Sequence, residues 1–197
     1  MNIDYKKLIS RDNPNILDIG AHNGSHSIMF AKEYPNSKIF SFEADPDVCK
    51  MFEENIKAHQ KLLQPSTGLF VVEDASYNNI TLIKKAVGNK MGSIPFYRSI
   101  DNSENRTGPS GTFLRPTQHY TLHPHVSFNQ IEIECITLDS WFEEQNIDYI
   151  DFAWTDVNGS EIALLQGGIN TFKATKYLQL ECIPYELWKN QPTKDQL

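Results

Sequence analysis

The chain has 197 residues, 40% of them hydrophobic and 22% charged, which is enough for one globular domain over residues 1–197 built on a single core. Lys and Arg number 18 against 25 Asp and Glu, a formal charge of -7, and the longest basic cluster is Lys84-Lys85. That balance argues against a nucleic-acid partner, which needs a cationic stripe. No apolar run reaches the roughly 18 residues of a membrane span and Met1 to Arg11 is polar, so a cytoplasmic protein with no membrane partner is expected. Cys49, Cys135 and Cys182 are odd in number and widely spaced, fit neither a disulfide framework nor a zinc site, and read as three small buried hydrophobes.

In chain order, Asn15 to Ile19 is a short apolar run between Pro14 and Gly20, the profile of a buried strand. Ser25 to Tyr34 reads as a helix stopped by Pro35, and Lys38 to Phe42 as a second strand. Asp45-Pro46-Asp47 places a capping residue before a proline at the first helical position, and Val48, Met51, Phe52 and Ile56 repeat at helical spacing to about His59 or Leu63. Leu69 to Val72 is open between strand, helical turn and insertion. Ile80 to Val87 reads as a third strand and Gly92 to Arg98 as an extra one. Ser99 to Gln130, rich in Asn, Ser, Thr, Pro, Gly and His, reads as a long loop insertion at about 99–130, of the kind that closes over a site. Ile131 to Leu138 alternates as a half-exposed strand, Asp139 is placed to cap a short helix, Tyr149 to Thr155 is a buried strand, a helix runs over Ile162 to Leu165, and Tyr177 to Cys182 is the last strand. Alternating strands and helices predict a doubly wound, mostly parallel α/β sheet with helices on both faces.

In such a sheet ligands bind beyond the carboxyl ends of the strands. The first turn, Asp18-Ile19-Gly20-Ala21-His22-Asn23-Gly24, pairs a glycine for a sharp turn with another that lets the helix pack close, and its helix start suits an anionic group. His22 stands where a dinucleotide fingerprint has its middle glycine, which disfavours a nicotinamide-dependent oxidoreductase. Asp18 repels phosphate and suits an ammonium group, so a ligand with an amino acid moiety fits both charges. Glu43 stands 23 positions beyond Gly20, near the offset at which an acidic residue takes ribose hydroxyls. Amino acid and ribose together point to S-adenosylmethionine.

These turns, with Phe42-Glu43-Ala44-Asp45-Pro46, Ala86-Val87-Gly88-Asn89, Thr137-Leu138-Asp139 and Asp156-Val157-Asn158-Gly159-Ser160-Glu161, resemble the FkbM-type methyltransferases over about Asn15 to Glu181. The resemblance implies a class I, Rossmann-like fold and S-adenosylmethionine-dependent O-methylation of a small metabolite, sugar or polyketide-like hydroxyl acceptor. By position it implies that Asp18, Gly20, Ala21, Asn23 and Gly24 cradle the methionine end, Glu43 takes the ribose, Ala44 and Val87 flank adenine, and Asp156 sits at the transfer site. The family often has lysine and glutamate where this chain has Trp154 and Asn158, and usually adds a C-terminal helix and strand hairpin where this chain ends at Leu197. Those departures carry two further expectations, a non-catalytic S-adenosylmethionine-binding or interaction domain, and a homodimer through an exposed sheet edge. Asp156 reads equally as a catalytic group and as a turn carboxylate bonding the amides near Gly159 and Ser160. His119, His123 and His125 read as solvated loop histidines with no metal expected, and His22 and His26 as local packing.

Overall fold

A computed structural model describes residues 4–62 and 77–197. After a four-residue helix α1 (Tyr5–Leu8), the chain enters β1 (Asn15–Ile19), α2 (Ser25–Glu33), β2 (Lys38–Phe42) and α3 (Pro46–Leu62). It continues through β3 (Ile80–Ile83), β4 (Ala86–Val87), β5 (Gly92–Asp101), β6 (Arg106–Thr107), α4 (His119–Leu122) and β7 (Val126–Ile136). The last part holds α5 (Leu138–Glu144), β8 (Ile150–Thr155), α6 (Glu161–Gly167), α7 (Ile169–Lys173) and β9 (Thr175–Leu180). The open segment Leu69 to Val72 lies outside the described residues.

Five strands form one parallel sheet in the order β3-β2-β1-β8-β9. The chain winds outward from β1 to β3 and then returns to lay β8 on the other side of β1, so the direction of winding reverses between β1 and β8. A crevice opens at that reversal beyond the strand ends. Both faces of the sheet are covered, which explains why β1 and β2 read as continuous apolar runs. On one face Ile16, Ile39 and Phe152 pack with Ile28, Phe30 and Ala31 of α2. On the other, Leu17, Ile19, Phe40, Phe42 and Ala153 pack with Leu138 and Trp141 of α5 and Leu164 of α6.

A second sheet, in the order β4-β7-β5-β6, revises two expectations. The run from Ile80 to Val87 is two strands: β3 pairs with β2, and after Lys84-Lys85 the chain passes to β4, which pairs with β7. The segment from Ser99 to Gln130 is not all loop, because both of its ends are strand. Ten antiparallel pairs, Gly92↔Cys135 through Asp101↔Val126, extend β5 and β7 into it. Its polar composition misleads because Ser99, fully buried, spends its polar groups on the next turn: its carbonyl accepts from Gly108 N (2.9 Å) and its Oγ from Ser110 N (2.9 Å).

Asp45 caps α3 as its sequence predicts, Oδ1 accepting from Asp47 N at 2.8 Å and Val48 N at 3.4 Å. Asp139 does not cap α5. Thr137 does, through Ser140 N (3.2 Å), while Asp139 accepts from Asn170 N and Thr171 N at the start of α7. After β9 the chain forms no α-helix, only a short 3-10 turn at Lys194–Gln196. Cys49 and Cys135 are buried and burial pushes their thiols up, to about 12 and about 11, but Cys182 is exposed. No described helix is long and apolar enough to cross a membrane.

Candidate active site

A cavity of about 310 Å³ opens over the ends of β1, β2, β4 and β8. Its floor is the turn after β1. Gly20 has φ +82°, and a side-chain carbon there would sit 1.8 Å from the Asp156 carbonyl oxygen, so the turns after β1 and β8 touch as only glycine permits. Gly20, Ala21 and Asn23 line the cavity together with Ser25 and His26 from the first turn of α2. Gly24 does not line it. With φ +78°, it lies against the Phe52 ring and lets α2 approach α3.

Glu43, beyond β2, stands at the wall. One carboxylate oxygen accepts from His22 N (2.9 Å) and the other from Ala44 N and Asp45 N (2.8 Å each). Burial pushes its carboxyl up to about 7, opposed by those three amides. Two carboxylate oxygens offer about four acceptor positions, so three amides leave room for a further donor. Beside Glu43 the wall is apolar: Ala44, Val48, Ala86, Val87, Phe96 and Phe113. Ala44 and Val87 thus both line the cavity.

Asp18 does not reach the cavity. It is fully buried on the α2 side of β1, its Oδ2 accepting from the Ser27 hydroxyl, which in turn lies 2.7 Å from Ser41 Oγ. Strand alternation decides this, because Ile19 and Gly20 intervene between Asp18 and the crevice. Burial pushes its carboxyl up to about 6.

Asp156 lines the cavity from the end of β8, and its buried Oδ1 has no partner among the described residues. It is not the turn carboxylate. Glu161 fills that role, Oε1 accepting from Gly159 N at 3.0 Å. His22 and His26 line the same end, and burial holds both imidazoles below the usual histidine range while the charge of Asp156 pulls the other way. His26 stacks on Trp154 with ring centroids 3.9 Å apart. A histidine inside a glycine turn was the available signal for this pair, and its proximity to Asp156 is decided by the β1–β8 contact.

The second sheet supplies the roof: Phe96 from β5, and Gly108, Pro109, Gly111, Thr112 and Phe113 after β6. Two bonds tie this roof to the turn after β8, Thr112 Oγ1 to Asn158 O (2.7 Å) and Asn158 Nδ2 to Pro109 O (3.2 Å). Lys85 also lines the cavity, paired with Glu134 at 2.6 Å.

The histidines of the 119–125 segment lie elsewhere. His119 is buried, its ring centroid 4.7 Å from that of His123 and 5.8 Å from that of Trp188, and burial pushes its imidazole down to about 4. Its position in a core, not in solvent, follows from docking on the C-terminal segment, where Thr117 N bonds Leu187 O. Among the described residues no three His, Cys, Asp or Glu side chains are placed to share a metal ion.

A family model for the methyltransferase FkbM domain matches residues 18–194, from the first strand to the last turn. The chain belongs to the FkbM methyltransferase family. It is 28% identical over 186 residues to "2-O-methyltransferase NoeI" of Sinorhizobium fredii, a match covering 93% of this chain and 69% of that protein. A shorter match, 27% over 81 residues, covers 41% of this chain and 25% of "Ribosomal RNA small subunit methyltransferase H" of Thermosipho melanesiensis. Among solved structures, the FkbM methyltransferase of Methylobacillus flagellatus KT is 13% identical with a TM-score of 0.46, over 80% of this chain and 29% of that one. The chain thus spans about two thirds of the NoeI protein and less than a third of the M. flagellatus structure.

Proposed function

We propose that this methyltransferase binds S-adenosylmethionine in the cavity and methylates a hydroxyl oxygen of a small-molecule acceptor. The observation that carries the reading is Glu43, a carboxylate held by three amides at the wall, between an apolar slot and a helix N-terminus. Glu43 takes the ribose hydroxyls, while Ala44, Val48, Val87 and Phe96 flank the adenine. The turn Gly20 to Asn23 and the start of α2 take the methionine carboxylate, which the helix dipole favours. Asp18 and Gly24 support the turn from below instead of touching the ligand. When bound, the cofactor supplies an electrophilic methyl group.

The protein's part in the transfer is positioning. The roof from Gly108 to Phe113 excludes water, and Asp156, with His22 and His26 beside it, forms the polar end at which an acceptor hydroxyl is held and its proton received. An oxygen acceptor is favoured because the relative matched over 93% of this chain is named a 2-O-methyltransferase.

Calorimetric titration of the purified chain with S-adenosylmethionine and S-adenosylhomocysteine tests the first half. Micromolar, mutually competitive binding is the expected result, and a folded chain that binds neither refutes the reading. A screen of hydroxylated acceptors for methyl incorporation, read by mass spectrometry, tests the second half.

A further inference from the structure

The turns after β8 and β9 carry two carboxyl groups side by side. Strands β8 and β9 pair in register up to Thr155↔Leu180, and Glu181 N extends the ladder by bonding Thr155 O at 3.2 Å. Asp156 N likewise extends the β1–β8 ladder to Ile19 O at 2.9 Å. Asp156 and Glu181 are therefore the next cross-strand pair, and alternation puts them on the face of Trp154 and Gln179, the side of α2. Register thus sets the two acidic residues side by side at the strand ends. On this face Trp154 Nε1, Gln179 Oε1 and Asp156 Oδ1 are all buried without partners among the described residues.

We propose that Glu181 is a positioning residue of the transfer reaction: it donates a hydrogen bond to Asp156 and leaves the buried Oδ1 of Asp156 to accept the hydroxyl of the acceptor molecule. This rests on the proposed O-methylation. A hydrogen bond between two carboxyls requires a proton on one of them, because two ionised carboxylates at that distance repel. Burial first, then the Asp156 carboxyl beside it and the charge of Glu161, push Glu181 well above the usual carboxylate range, which is the direction expected of the member that keeps the shared proton. The other titratable groups that face Asp156 are Asp18 on β1, His22 on the turn after β1, His26 on α2 and Glu161 on α6. Arg106 of β6 acts on the cluster through His22. Burial keeps both imidazoles largely uncharged, so Glu181 is the strand-borne donor that fixes the Asp156 carboxylate. Asp156 then receives the hydroxyl proton and passes it to solvent, and Glu181 keeps its own.

The first test needs no turnover: ¹³C NMR of the side-chain carboxyls of the unliganded chain across the pH range. Glu181 is expected to titrate well above the usual carboxylate range in the wild type, and in Asp156→Asn to titrate lower by more than about one pH unit, where the partner charge is gone. An ordinary titration of Glu181 in the wild type overturns the proposal. The second test splits kcat from binding. Glu181→Gln keeps a donor and holds kcat at pH 7 within about threefold, but loses the fall in kcat at alkaline pH. Glu181→Ala lowers kcat by about tenfold or more with cofactor affinity unchanged. A Gln variant as poor as the Ala variant, or equal losses of kcat and cofactor affinity, overturns the positioning role. A wild type with the expected titration that binds no S-adenosylmethionine overturns the cofactor reading and this role with it. A wild type that methylates while Glu181 titrates normally overturns the positioning role alone.

Discussion

Replacing Glu43 with glutamine removes a charge while keeping the shape, and the structure gives both a direction and a size for the result. Three amides converge on the carboxylate, two on one oxygen and one on the other. The glutamine oxygen can serve Ala44 N and Asp45 N, but its NH₂ then faces His22 N, donor against donor. The variant thus loses one charge-assisted bond within the protein and the acceptor for ribose hydroxyls, and bonds of that type contribute about 1.5–3 kcal/mol each. Cofactor affinity should fall by about 10- to 100-fold. The pH dependence is sharper still as a test. Burial pushes Glu43 up to about 7, so about a tenth of it is ionised at pH 6 and about nine tenths at pH 8. If the ionised form is the one that takes the ribose, wild-type affinity should rise about ninefold between those pH values, in proportion to the competent fraction. Stability moves the opposite way. The fold binds more protons at Glu43 than the unfolded chain does between about pH 4.5 and pH 7, so its contribution declines as pH rises through that window, by on the order of 3 kcal/mol. Calorimetric titrations and urea melts of wild type and Glu43→Gln at pH 6, 7 and 8 measure both. The reasoning fails if wild-type affinity is flat across the range, or if the variant keeps the wild-type slope.

Three further perturbations follow from the geometry. Gly20→Ala places a side chain 1.8 Å from the Asp156 carbonyl at φ +82°, so it should cost about 2 kcal/mol or more in urea melts and abolish cofactor binding; a variant with wild-type stability would show that the two turns separate freely. Arg98→Ala should lower Tm by about 10 °C, because the Arg98 fork holds the buried Asp45 at 2.6 and 2.7 Å and joins β5 to the α3 cap, and breaking a buried pair costs about 3 kcal/mol. A change in Tm under about 2 °C would mean that the cap alone satisfies Asp45. His119 is held down to about 4 in the fold against 6.5 in the unfolded chain, so the unfolded state binds more protons between those values and stability falls as pH drops through the window. His119→Leu should flatten that acid loss in thermal melts at pH 4 to 7, and an unchanged slope would place its origin elsewhere.

The periodicity of the chain alone determined the parallel sheet. Asn15–Ile19 and Lys38–Phe42 are strands with the ends expected from their apolar runs, because a strand buried on both faces is apolar over most of its length. The cap at Asp45 and the turn at Gly20 were equally legible, since helix starts and positive φ angles admit few residue types. Pairing between distant strands was not legible. Val126 to Gln130 carries little pattern of its own and becomes a strand only because residues 97 to 101 lie alongside it, which builds the sheet that roofs the cavity. Asp18 reads from its position as a ligand contact, yet the pleat turns it to the α2 side, where Ser27 receives it. The pairing of Asp156 with Glu181 likewise exists only where β9 lies in register against β8: residues 25 positions apart meet through the sheet, and local sequence carries no record of which strand becomes whose neighbour.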